Sequence, residues 1–215
     1  MADPTQTVNG HILPAEGSVG CGSGQVLRGY KTNALEVLCG AISSTGVATA
    51  TANLGAVETG STAVERGDSA NHVTVLTVDT ALPAIAGGDD LAVGKLLYTF
   101  PAGVVVVKSA TMSLAIQQVD ENITADTPDG GLGTTIGSGS VAVLGGTAAF
   151  ENILAGQEFN DCDGTAEVKT LQTPLVIEAA DDHTVYFNVA DDWAASGDAA
   201  AGLAGTVAIE WSLLG

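Results

Sequence analysis

From residue 72 onward the sequence alternates with a period of two, and this alternation decides what the chain can fold into. In His72-Val73-Thr74-Val75-Leu76-Thr77-Val78-Asp79, β-branched residues dominate and apolar positions recur on one side. Period two sends successive side chains to opposite faces of a strand, so one face can be buried while the other meets water. Segments of the same kind follow at residues 91–100, 104–119, 134–144, 148–154, 165–168, 175–177, 184–189 and 206–213. Pro101-Ala102-Gly103, Asp126 to Gly131, Gly145-Gly146 and Asp181-Asp182 separate them with the residues that turns require. No segment keeps a 3.6-residue period with caps. The Ala-rich stretch from Trp193 to Ala204 is broken by Gly197 and Gly202 and reads as a loop. The expected fold is all-β: an antiparallel β-sandwich, jelly-roll-like, with an extended Gly-rich N-terminal arm.

The distribution of large side chains divides the chain. Aromatics make up 4% of the 215 residues, and of these only Tyr30 precedes residue 98. Tyr98, Phe100, Phe150, Tyr186, Phe187 and Trp211 are expected to fill the core, with Trp193 also buried. Residues 1–70 hold eleven of the 28 glycines and three basic against six acidic residues, a net of -3; the remainder holds three against nineteen, a net of -16. Residues 1–70 are therefore expected to form an extended arm or loosely packed strands, and residues 71–215 the sandwich. A second reading makes residues 40–70 further strands of the same sandwich. An arm with few large side chains leaves its backbone free to pair with another chain, which makes it the expected partner interface, with Arg28, Tyr30 and Lys31 as contact residues.

A net charge of -19 argues against nucleic acid as a partner, because such a surface repels phosphate and forfeits counterion release. The first residues lack the basic and apolar regions of a signal peptide, and the longest apolar run, Val104 to Val107, is too short to span a bilayer, so no membrane role is expected. Cys21, Cys39 and Cys162 are odd in number and widely spaced; buried thiols are expected, with a Cys21–Cys39 bridge as the alternative.

No catalytic constellation emerges, so no enzyme activity and no cofactor are expected. His11, His72 and His183 fall in a leader, a strand start and a turn, with no partner placed by sequence. GxSxG, HExxH and GxxxxGK[ST] are absent, and the run from Gly131 to Gly137 has the wrong spacing for a dinucleotide loop. Asp161-Cys162-Asp163-Gly164 sets alternate carboxylates before a glycine, a weak calcium signal on Asp161 and Asp163 that no distal Glu completes. Asp120, Glu121, Asp126 and Asp129 form a second acidic group that reads as a solvated loop.

Three stretches carry a resemblance: Val93 to Gly103, Asn122 to Thr134, and His183 to Asp191. They resemble segments of structural proteins of marine tailed bacteriophages, and the similar region, Ala92 to Trp211, spans about half of the chain. The resemblance implies a virion protein made in the host cytoplasm, first a decoration or cement protein on the capsid exterior, with capsid protein as partner and a homo-oligomeric state. A tail, collar or fibre component is the second reading. A carbohydrate- or calcium-binding module is the third.

Overall fold

The computed structural model describes residues 55–214 apart from 69, 121, 147–148 and 172–173, together with four strand segments nearer the N-terminus; side chains before residue 55, and those of residues 157 and 168–171, lie outside the description. The chain divides into two compact units, Met1–Ala50 and Thr51–Gly215. In the first, β1 (Thr7–Val8) pairs with β2 (His11–Ile12) and β3 (Gln25–Tyr30) with β4 (Val37–Ala41), both antiparallel.

The second unit is a sandwich of two antiparallel sheets. Its strands are β5 (Ala56–Val57), β6 (Ser61–Gly67), β7 (His72–Ala81), β8 (Asp90–Thr99), β9 (Val104–Gln117), β10 (Asp129–Gly133), β11 (Leu154–Glu158), β12 (Asp163–Leu171), β13 (Leu175–Ile177), β14 (Thr184–Asp192) and β15 (Gly202–Leu214). One sheet runs β12-β9-β15-β7-β6, with β13 also on β9; the other runs β11-β10-β14-β8-β5. Set aside β5, β6 and β13, and eight strands remain. The first sheet then takes the first, eighth, third and sixth of these, and the second sheet the second, seventh, fourth and fifth. This order is the double Greek key of a jelly roll.

Both sheets follow from alternation. Along β7 the inward His72, Thr74, Leu76 and Val78 are buried, while Thr77 and Asp79 are exposed. Along β9 the inward side chains Val105, Val107, Ala110, Met112, Leu114 and Ile116 are all buried, and the change of phase at Lys108-Ser109 sits opposite a bulge at Glu210/Trp211 of β15. Between them the two inner faces enclose one continuous core.

Several elements differ from the sequence expectation. Residues 134–144 form no strand, and the strand before them is β10, in a run that composition marks as a turn. Its glycines serve close approach: a Cβ at Gly130 would lie 2.4 Å from the Phe159 ring, and one at Gly133 would lie 2.3 Å from the carbonyl oxygens of Ala149 and Phe150. Residues expected as a strand over 148–154 instead lead into β11. Within the described part of residues 134–153, the chain lies over the outer face of the five-stranded sheet. There Leu144 and Phe150 pack on Ala92 and Ala190, and Asn188 of β14 holds the segment by accepting from the Gly137 N–H at 2.6 Å and donating to the carbonyls of Thr135 and Phe150. The sandwich also begins earlier than the boundary at residue 70. β5 and β6 add one strand to each sheet, because short side chains suffice at an edge and Glu65 supplies a buried anchor.

Of the six expected core aromatics, Tyr98, Phe100, Phe187 and Trp211 lie between the sheets and Phe150 is buried in the cluster outside the five-stranded sheet; Tyr186 is only partly buried, since alternation along β14 turns Val185, Phe187 and Val189 inward and Tyr186 outward. Phe159 and Trp193 complete the set, the Trp193 indole donating to the Leu91 carbonyl at 2.9 Å. Among the described residues no helix occurs, and Trp193 to Ala201 is a loop pinned by a bridge between Ile85 and Asp198.

Candidate functional site

The densest polar constellation lies inside the sandwich. β6 and β7 form a hairpin whose turn is set by Asp68, which accepts from the N–H groups of Ala70 and Asn71, and by Gly67, at φ 98°. With Gly67 opposite His72, the inward Glu65 stands opposite Thr74 and diagonal to His72. Glu65, His72 and Thr74 are all buried. One Glu65 oxygen contacts His72 Nε2 at 2.8 Å, and the other accepts from the Tyr98 hydroxyl of β8 at 2.7 Å. A single carboxylate thus joins the two sheets. His72 Nδ1 has no hydrogen-bond partner, so the geometry needs the ring proton on Nε2, pointing at Glu65. The His72 ring lies 4.5 Å from the Trp211 ring, whose indole N–H donates to Thr74 Oγ1 at 2.9 Å. Burial, then the hydrogen bond to Glu65, pushes the Tyr98 phenol well above its ordinary range, against smaller opposing contributions from Thr74 and the Gly55 backbone.

These groups have the types that acid–base chemistry uses, but His72 and Tyr98 have 0% exposure, so a substrate cannot touch them. Their role is to fix the register of the β6–β7 hairpin and to lock it to β8. Position in sequence hides the partnership. Glu65 and His72 are seven residues apart, and only the four-residue turn between Gly67 and His72 brings them onto one face.

The acidic residues have a second structural use. Asp198, buried, accepts from the backbone N–H groups of Val119, Asp120 and Ala200. Burial alone would raise its pKa, but those three donors outweigh it and hold the carboxyl below the usual range. Asp120 accepts from the Ala199 N–H, Asp126 from Ala194 and Asp129 from Leu144. Three members of the second acidic group therefore turn to separate backbone donors; Glu121 lies outside the described residues. Asp163, exposed, caps the Thr165 N–H at 2.8 Å, and hydrogen bonds from Thr165 lower its pKa. Asp161 is exposed as well, and among the described residues no group of three or more His, Cys, Asp or Glu side chains is arranged to hold a metal ion.

Cys162, between those two aspartates, points into the core. Burial first, then the charges of Asp126, Asp191, Asp161 and Asp163, push its thiol up to about 12 from 9.0. With the folded pKa above the unfolded one, the stabilising effect of the protonated thiol is complete below about pH 9 and is lost as pH rises toward 12. The protein is expected to leave Cys162 unmodified by a thiol reagent at pH 8, and to lose stability with a steeper slope between pH 9 and 11 than Cys162→Ala does. Chemical denaturation across that pH range checks it; equal slopes would refute the thiol's part.

The other expected site residues lie elsewhere. Arg28 and Tyr30 fall in β3, with their side chains outside the described residues, as is Lys31 entirely; the Cys21–Cys39 bridge and the His11 side chain lie outside them too. His183 stands in the loop just before β14, where its Nε2 contacts the Gly103 carbonyl at 2.6 Å and ties two loops at one end of the sandwich. Compared with known proteins, the chain matches no family model and no curated protein.

Proposed function

We propose that this chain is a virion structural protein, a decoration or cement protein that binds the outside of a bacteriophage capsid and stabilises the shell. The carrying observation is the eight-stranded double Greek key, an architecture that recurs in viral capsid proteins, and the argument from fold is one of analogy. Two features support it. The buried polar side chains Glu65, His72, Asn188 and Asp198 all serve to tie strands or loops together, which suits a rigid building block. The strongly acidic surface keeps many copies soluble before assembly, and the short phrases shared with marine phage structural proteins point the same way.

Gold-labelled antibody against the chain, applied to particles that encode it, is expected to decorate heads in electron micrographs. Label confined to tails would replace the decoration role with a tail or collar role. Purified particles free of the chain would end the virion reading.

A further inference from the structure

The two outer faces of the sandwich are treated differently by the fold. The five-stranded sheet is covered by residues 134–153 of its own chain, through Leu144, Phe150 and the three hydrogen bonds of Asn188. The outer face of the six-stranded sheet has a different character. Its cross-strand rows are Val64-Val75-Ala208-Thr111 and Thr62-Thr77-Thr206-Ser113, with Ala204 beside Ala115 and Ser212 beside Val106. Val64, Val176 and Leu214, three large apolar side chains each 50% exposed or more, lie on this sheet.

Charge makes the face more distinctive. From Thr51 to Gly215 the sequence has four basic and twenty-two acidic residues. On the outer side of β6, β7, β9 and β15 stand two of those cations, Arg66 and Lys108, and only two anions, Asp79 and Glu210. Across the outer side of these four strands the charges balance, on a unit whose other charged residues are two basic against twenty acidic. A basic foreign partner would be drawn to the acidic surface instead. A second copy can approach only where the two negative bodies do not confront each other, and this face provides that place. Turned over by a twofold axis running across the strands, it also brings the Arg66 end of β6–β7 toward the Asp79 end of the other copy's β7. Four strands spaced about 4.8 Å and some ten residues long present on the order of 700 Å², near the roughly 800 Å² per partner of a standard interface.

We infer that the outer face of the six-stranded sheet is a self-association surface, occupied by the same face of a second copy of this chain. The inference stands apart from the virion reading. Light scattering on the full chain at roughly 50 µM, a concentration at which a standard interface is occupied, is expected to give twice the monomer mass of 21.3 kDa. Thr206 is exposed at the middle of the face, so Thr206→Glu is expected to return the monomer mass with an unchanged melting temperature. Thr77→Glu, on the neighbouring strand, should do the same, whereas Ala179→Glu, in an exposed turn elsewhere, should leave the dimer intact. For the unmodified protein, the dimer fraction should rise between about 0.02 M and about 0.5 M salt, because salt screens repulsion between the bodies more than it weakens an apolar contact. A monomer at both salt concentrations, an oligomer that survives both face variants, or a dimer that dissociates as salt rises would overturn the inference.

Discussion

Glu65→Ala is expected to destabilise the protein by about 3–5 kcal/mol, the range for removing one partner from a buried charged hydrogen-bonded group. The loss has two parts. His72 Nε2 and the Tyr98 hydroxyl, both without exposure, lose their acceptor at once, and each buried donor left unpaired costs about 1–3 kcal/mol. The β6–β7 hairpin also loses its carboxylate link to β8. Glu65→Gln retains a carbonyl oxygen that can accept from one of the two donors and should cost roughly half as much. Urea titration followed by tryptophan fluorescence measures both, because Trp211 lies tilted against His72 at 4.5 Å and reports the cluster directly. A shift below about 1 kcal/mol for Glu65→Ala would mean that water reaches the carboxylate and that this end of the sandwich is open.

Legibility in the sequence tracks burial on one face. In the second half of β7 and along β9 from residue 110, inward Leu76, Val78, Met112, Leu114 and Ile116 alternate with outward Thr77, Asp79, Thr111, Ser113 and Ala115, and that alternation states both the strands and the sandwich. β13 is legible at its full length, since Leu175-Val176-Ile177 is an aliphatic run, two of its three residues β-branched, with no competing signal. β10 is not. Its Gly130, Gly131 and Gly133 have the composition of a turn, and what keeps them in a strand is the pressure of Phe159, Leu154 and the Ala149–Phe150 backbone from elsewhere in the chain. Residues 134–144 are the converse: Ile136, Val141, Val143 and Leu144 suggest a strand, but Leu144 is buried on the outer side of a sheet, against Ala92 and Ala190, rather than between the sheets. A period-two pattern cannot distinguish those two kinds of burial.

The polar cluster was hidden for a related reason. Glu65 sits in a segment poor in large side chains, which composition assigns to an arm, and nothing local marks a glutamate as buried. Only the hairpin register places it beside His72, and only the sheet-to-sheet packing brings Tyr98 to its other oxygen. The aspartates mislead in the opposite direction. Asp120, Asp126 and Asp129 look like a solvated loop in sequence, yet each is engaged by a different backbone N–H, so part of the chain's acidity serves to close loops.

Trp211→Ala is the second large effect, expected at about 3–5 kcal/mol, the range for truncating a fully buried tryptophan. The indole has 0% exposure and stands with its ring 4.5 Å from His72 and 5.3 Å from Phe100, which itself packs edge-on to Tyr98. Its removal opens a cavity lined by the groups that position the Glu65 cluster, and leaves the Thr74 hydroxyl without its indole donor. Trp211→Phe separates these contributions: the smaller ring fills part of the volume but cannot donate to Thr74, so it should recover more than half of the loss. Because Trp211 and Glu65 act on the same histidine, the double variant Glu65→Ala/Trp211→Ala should fall short of the sum of the single effects by about 0.5–3 kcal/mol. Once either residue is gone, His72 is no longer held, and the second substitution has less order to destroy. Full additivity in a double-mutant cycle would show that the aromatic contacts and the carboxylate bridge are independent, and that the cluster does not work as one unit joining the two sheets.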